Sequence, residues 1–180
     1  TFEGMPIEPM YYVPNLPVLL LNGSEGLSSG FAQKILPRDP AKVKQYIVNY
    51  LQGKGSRWDF APYFEGFRGV IEQLGQGQYA IKGVIERKGP TKVLITEVPV
   101  GYTLKGYIKV LDELEDSKVI RSYRDASEYD MFKFEVTIPS ESLKQWDDET
   151  LLTKLKLVKK VTENYTALDD NNKVVVAEDA

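Results

Sequence analysis

The chain has 180 residues, 42% of them hydrophobic, with no cysteine, no histidine and a formal net charge of -3. That is enough apolar mass to bury a core for one domain or one and a half. The absent cysteines exclude a disulfide framework and thiolate chemistry and suit a reducing cytoplasm, and the absent histidines remove the usual metal ligand and near-neutral general base. The apolar runs are short and broken by charges, so neither a membrane span nor a signal-peptide core is expected.

In chain order, Thr1 to Asn15 carries Pro6, Pro9 and Pro14 and reads as an extended connector packed on the core by Tyr11, Tyr12 and Val13. Leu16 to Leu21 is an apolar run bounded by Pro17 and Asn22-Gly23, and predicts a short buried strand. A glycine-rich loop follows, in which Gly23, Gly26 and Gly30 allow close backbone approach to something outside the chain. It ends on Lys34, Ile35, Leu36, Pro37 and Arg38, two aliphatic residues flanked by basic ones. Asp39 then reads as an N-cap and Pro40 as the first helical residue. Val43, Tyr46, Ile47, Tyr50 and Leu51 recur at helical spacing, and Gly53 supplies the stop. The positive end of this helix beside Arg38 and Lys42 is a combination that attracts a phosphate, whereas Lys44 reads equally well as part of a solvated face.

From Trp58 the pattern turns to period two. Phe67 to Leu74, Gln78 to Arg87 and Thr91 to Val98 predict three strands of an antiparallel meander. Thr103 to Leu114 predicts an amphipathic helix, Val119 to Arg124 and Phe132 to Ile138 two further strands, and Pro139-Ser140 the start of another helix. A terminal hairpin is expected to turn at Asp169 to Asn172. The carboxylate pairs Asp147-Asp148 and Asp169-Asp170 read as solvated turn residues, not a metal or hydrolase site. The fold class is therefore α+β, mainly antiparallel sheet with flanking helices.

Charge is unevenly spread. From Ser28 to Arg57 the cations Lys34, Arg38, Lys42, Lys44, Lys54 and Arg57 face Asp39 alone, while Asp112, Glu113, Glu115, Asp116, Asp147, Asp148 and Glu149 load the later chain with acid. This distribution is compatible with DNA running over one end, and equally with a solvated helix face.

The stretch NGSEGLSSGFAQKILPRDP resembles the segment after the active-site winged helix in the breakage-reunion part of type IIA DNA topoisomerases, whose pattern is NGSxGIxxGxxxxIPxxNP. Asn22, Gly23, Ser24, Gly26, Gly30, Ile35 and Pro40 fall on it in register, and Leu27 replaces an isoleucine. Lys34 stands where an asparagine or aromatic is common, Pro37 is displaced by one, and Asp39 replaces an asparagine. FEGFRGVIEQLGQGQYAIKGVIE and LITEVPVGYTLKGYIKVL resemble later family stretches, in the same order and at matching distances. The KILP variant is similar to the medium-subunit branch of the family in T-even-type bacteriophages.

The resemblance implies a connector from the winged helix with a DNA-wedge loop over residues 1–38 and a tower (shoulder) domain over residues 39–180. It also implies an ATP-dependent type II topoisomerase that bends a gate duplex during double-strand passage with an isoleucine wedged between base pairs. Ile35 matches that wedge, with Lys34, Arg38 and Lys42 on phosphates. Read without the family, Ile35 is a core residue. The nucleophilic tyrosine of the family follows an arginine and lies upstream; neither Tyr11 nor Tyr12 has that context, so this chain alone is expected to be inactive. Mg2+ and ATP belong to other domains or subunits, and the partners implied are double-stranded DNA, other topoisomerase subunits and a second copy. Two other classes stand beside this reading. A phosphate-binding enzyme lacks its GxxxxGK[ST] or GxGxxG signature, and a structural interaction module without DNA contact would show no salt-dependent DNA binding.

Overall fold

The computed structural model describes residues 4–9, 12–55, 61–128, 131–169 and 171–177; Tyr11, Arg57, Trp58 and Asp170 lie outside them. The chain divides into two compact units, one formed up to Tyr63 and again from Tyr165, the other from Phe64 to Asn164. None of the helices among the described residues is long and apolar enough to cross a membrane.

The first unit begins with a correction. Val18–Asn22 is a short helix, α1, with no buried residue, and not the expected buried strand. Apolar runs of this length do not distinguish the two by periodicity. Here the Pro17 carbonyl accepts from Leu20 N at 3.0 Å and Leu21 N at 3.1 Å, so the turn satisfies its own backbone and needs no strand partner. Tyr12 and Val13 are exposed, so the connector is not pinned by them as expected.

The glycine-rich stretch is not an irregular loop either. It is an antiparallel hairpin of β1 (Ser24–Ser28) and β2 (Phe31–Ile35), in register from Ser24↔Ile35 to Ser28↔Phe31. Ser29-Gly30 makes the two-residue turn, with Gly30 at φ +85°, a positive value at the second central residue that favours glycine there. Helix α2 (Pro40–Leu51) starts as the sequence predicts: Asp39 Oδ1 accepts from Ala41 N at 2.8 Å and Pro40 opens the helix. Val43 is buried, yet Tyr50 and Leu51 at the far end are exposed.

In the second unit β3 (Val70–Gly75) and β4 (Gln78–Lys82) form a hairpin, as do β5 (Val84–Arg87) and β6 (Lys92–Glu97). The predicted strand from Gln78 to Arg87 is thus split at Gly83. A Cβ at that residue would overlap the Glu97 carbonyl oxygen and lie 3.1 Å from Leu157 Cδ2, while Gly83 N donates to Leu157 O at 2.9 Å. Only glycine permits so close a crossing, and there the chain leaves one sheet for another. Helix α3 (Leu104–Asp116) is capped by Thr103 Oγ1, which accepts from Gly106 N at 3.0 Å. Strands β7 (Ser122–Asp125) and β8 (Phe134–Thr137), helices α4 (Ser140–Gln145) and α5 (Asp148–Lys154), and strand β9 (Val158–Thr162) complete the unit. The expected meander becomes two antiparallel sheets, β3-β4-β9 and β5-β6-β8-β7.

The core of this unit joins Tyr107, Leu111 and Leu114 of α3 to Ile95 of β6, Phe134 and Val136 of β8, and Leu151 of α5. Tyr107 spends its hydroxyl on the Leu155 carbonyl at 2.9 Å, as a buried phenol must, and its burial pushes the phenol pKa up. Arg87 donates from Nε to Asp148 at 2.8 Å and from its two terminal nitrogens to Leu143 O at 2.9 Å and Trp146 O at 2.7 Å, tying β5 to the corner between α4 and α5. Asp147 and Asp148 are not turn residues: Asp147 is the N-cap of α5 and Asp148 lies in its first turn.

The chain then returns to the first unit with the hairpin of β10 (Thr166–Leu168) and β11 (Val174–Val176). Asp169 Oδ1 accepts from Asn171 N at 2.8 Å and Lys173 N at 2.9 Å, closing the turn where the sequence places it.

Candidate nucleic-acid interface

The β1–β2 hairpin sorts its side chains onto two faces, because strand residues alternate and cross-strand partners share a face. From the register, Ser24, Gly26, Phe31, Gln33 and Ile35 share one face, and Glu25, Leu27, Ala32 and Lys34 the other. The root of the hairpin is fixed. Gly23, at φ 68° and ψ 175°, lies so close that a Cβ there would be 2.5 Å from Ile35 O and 3.0 Å from Pro37 N. Arg38 N donates to Leu20 O, and Tyr63 N to Pro37 O, both at 2.8 Å. The tip is open, with Leu27 91% exposed one pair before the turn and Phe31 49% exposed beside it.

The four residues singled out from the sequence lie in different environments. Ile35 is 6% exposed and Arg38 1% exposed; Arg38 Nη1 donates to the Leu36 carbonyl at 2.7 Å. Lys34 holds an ion pair with Glu25 at 2.7 Å. Lys42 is exposed in the first turn of α2, but the helix end that was to attract a phosphate already carries the Asp39 carboxylate, which caps Ala41 N and also accepts from Lys42 N at 3.4 Å. The arrangement brings Lys34 and Ile35 together at the end of β2 and sets Arg38 inside the unit.

Leu27 and Phe31, which the sequence did not single out, are exposed apolar residues at the tip of this hairpin. The pattern has two isoleucine positions, matched by Leu27 and Ile35, and the Ser29-Gly30 pair is a turn signal. Exposure separates the two aliphatic residues: Leu27 is open to water and Ile35 is closed off from it.

A groove of about 410 Å³ lies between the two hairpins of this unit, lined by Leu27, Phe31, Ala32, Gln33, Leu168 and Val174 among others. Gln33 bridges it, accepting from Ser24 Oγ at 2.6 Å and donating from Nε2 to Thr166 O at 2.5 Å. Among the described residues no group of three or more His, Cys, Asp or Glu is placed to hold a metal ion.

The comparisons with known proteins agree with the sequence resemblance. The profile of the family described as the DNA gyrase/topoisomerase IV A-subunit matches residues 1–179. The chain is 33% identical over 175 residues to the DNA topoisomerase medium subunit of Enterobacteria phage T4, over 94% of this chain and 39% of that protein. It is 31% identical over 175 residues to the mitochondrial DNA topoisomerase 2 of Dictyostelium discoideum, over 96% of this chain and 14% of that one. The solved structure of the Plasmodium falciparum topoisomerase II DNA-binding, cleavage and re-ligation domain matches with a TM-score of 0.88 at 29% identity, over 96% of this chain and 24% of that chain. The chain thus spans well under half of the length of these relatives, and its mixed helices and antiparallel sheets are those of the topoisomerase structure. With the match running along nearly its whole length, the chain belongs to the DNA gyrase/topoisomerase IV A-subunit family.

Proposed function

We propose that this chain is the part of an ATP-dependent type II DNA topoisomerase that grips and bends a duplex during double-strand passage, and that Leu27, not Ile35, enters a base step. The observation that carries this reading is the contrast within one hairpin: Leu27 stands 91% exposed next to the turn, and Ile35 closes the root at 6% exposed. Withdrawing Ile35 from its site would forfeit about 1.5–3 kcal/mol of burial, whereas Leu27 gains by leaving water.

The wedge does not act alone. Unstacking a step costs a few kcal/mol, and bending a site adds roughly 1–6 kcal/mol, more than one leucine returns. Phosphate contacts supply the rest. Lys42 is exposed for this task, and Lys34 can exchange Glu25 for a phosphate because an exposed ion pair is worth only about 0–1 kcal/mol. Arg38 serves as a brace under the hairpin, holding the Leu36 carbonyl. Recognition by shape and charge gives little sequence preference. Cleavage, Mg2+ and ATP chemistry come from other domains or subunits, with a second copy completing the gate, and residues 39–180 supply the tower, to which the second unit contributes its sheets.

The test is DNA bending by the assembled enzyme, read by end-to-end energy transfer on a short duplex. Leu27→Ala is expected to lose most of the bend, and Ile35→Val to keep it at a stability cost of about 0.5–1.5 kcal/mol. Bending unchanged in Leu27→Ala overturns the wedge assignment. Binding insensitive to salt, or absent at low salt, would favour a structural interaction module instead.

A further inference from the structure

The two hairpins of the first unit are separate two-stranded sheets, with no strand pairing between β2 and β10. Successive carbonyls of a strand point to opposite edges. Tyr165 O accepts from Ala177 N at 3.0 Å, on the side of β11, so the carbonyl of Thr166 faces the other edge, toward β2. An edge carbonyl needs a donor when it is covered, and Thr166 is 9% exposed. The donor is the Gln33 carboxamide at 2.5 Å, whose oxygen in turn accepts from Ser24 Oγ at 2.6 Å. The amide has one workable orientation, since exchanging its oxygen and nitrogen would set two acceptors, Oε1 and the Thr166 carbonyl, against each other.

We propose that Gln33 is a positioning residue that locks the angle between the β1–β2 and β10–β11 hairpins and thereby holds Leu27 in place for entry into DNA. The inference rests on the reading of Leu27 given above. Gln33 grips on the face that carries Ser24 and Ile35, and Leu27 is presented on the opposite face. A duplex bent over Leu27 pushes the hairpin about its root, toward or away from the groove that separates it from Leu168 and Val174. The Gln33 bond to the Thr166 carbonyl of β10 opposes that rotation, and the Ser24 bond within the hairpin holds the amide in the orientation that makes it. A joint built from one side chain is adjustable in a way that a continuous sheet is not.

The experiment follows 2-aminopurine fluorescence at the bent step of a duplex bound to the assembled topoisomerase, for wild type, Leu27→Ala, Gln33→Leu, Gln33→Glu and the pairs with Leu27→Ala. Gln33→Leu keeps the bulk and removes both bonds. Gln33→Glu keeps the acceptor for Ser24 and sets a carboxylate against the Thr166 carbonyl. Each Gln33 variant is expected to lower the equilibrium constant for unstacking roughly fivefold, the size of one neutral hydrogen bond, and to have no further effect once Leu27 is alanine. The thermal midpoint of each variant reports any general loss of fold, which would reduce binding equally in both backgrounds. Unstacking at the wild-type level in the Gln33 variants, or equal losses with and without Leu27, overturns the role of Gln33 while leaving the wedge intact. Unstacking unchanged in Leu27→Ala alone overturns the wedge and the positioning role together.

Discussion

Gly23 and Ile35 touch through their backbones: a Cβ at residue 23 would sit 2.5 Å from the Ile35 carbonyl oxygen. Gly23 also has φ 68° and ψ 175°, a region open essentially to glycine alone. Two independent constraints therefore fall on one residue, and both hold the hairpin root. Gly23→Ala is expected to cost about 1–3 kcal/mol from backbone strain, with more from displacement of Ile35. A urea titration of the chain reads this as a lower midpoint; an unchanged midpoint would show that the root is not packed as described.

Gly26 makes the opposite case. Its Cβ would meet nothing within 4 Å, and its φ lies outside the left-handed range. No contact among the described residues requires glycine there. A duplex that takes Leu27 into a base step must surround the hairpin tip, and a bare Cα permits that approach. Gly26→Ala is therefore expected to leave stability unchanged or raise it by about 0.4–1 kcal/mol through the unfolded chain, and yet to weaken duplex binding by roughly 1–3 kcal/mol, the cost of an overpacked contact. Urea titration and a low-salt binding assay on the same variant separate the two effects. Loss of stability, or undiminished affinity, would contradict the prediction.

What the sequence disclosed follows from where each constraint lies. Helix α2 was legible because Asp39, Pro40 and Gly53 are local signals at its two ends, and α3 because Leu111 and Leu114 follow Tyr107 at helical spacing. The terminal turn was legible because Asp169 caps it by itself. Where the constraint is tertiary the reading failed. Gly83 breaks a continuous β pattern only because Glu97 and Leu157 crowd it. Strand β1, with Glu25, Gly26 and Ser28, has little β propensity and exists through its register with β2. At the site, the pattern has two aliphatic positions, and the resemblance was placed on Ile35, whereas exposure points to Leu27. Leu27 and Ile35 differ in exposure, a property of the folded hairpin and not of residue type.

The N-cap of α5 carries a pH dependence. Asp147 Oδ1 accepts from Thr150 N at 2.8 Å, and the hydrogen bonds from Thr150, aided by the charge of Arg87, hold its carboxyl below the ordinary value of 3.8. A carboxyl lowered on folding contributes stability that is complete above its unfolded pKa and is lost as pH falls through the folded one. Asp147→Asn keeps a good cap without the charge. Its thermal midpoint is therefore expected to fall less steeply than that of wild type from about pH 4 downward. Parallel curves would show that the cap carries no linked proton.

At the proposed interface, Glu25 and Lys34 form an ion pair whose charges can be separated by substitution. Their ion pair spans 2.7 Å, with 70% of the Glu25 side chain and 33% of the Lys34 side chain in water. An exposed pair of this kind contributes little to folding, but Glu25 shares a face with Leu27 and so places a negative charge where the duplex would arrive. Glu25→Gln removes that charge and releases Lys34 for a phosphate. Stability is expected to change by less than about 0.5 kcal/mol, while duplex affinity rises roughly 2–5-fold at low salt. The gain should shrink as salt screens both charges, and the dependence of affinity on salt should steepen, because one more cation displaces a counterion. Measured across a salt series, a higher affinity with an unchanged salt slope would mean that Glu25 merely repels DNA. A raised affinity with a steeper slope would place Lys34 on the phosphate backbone, and no change in either would remove this face of the hairpin from the path of the duplex.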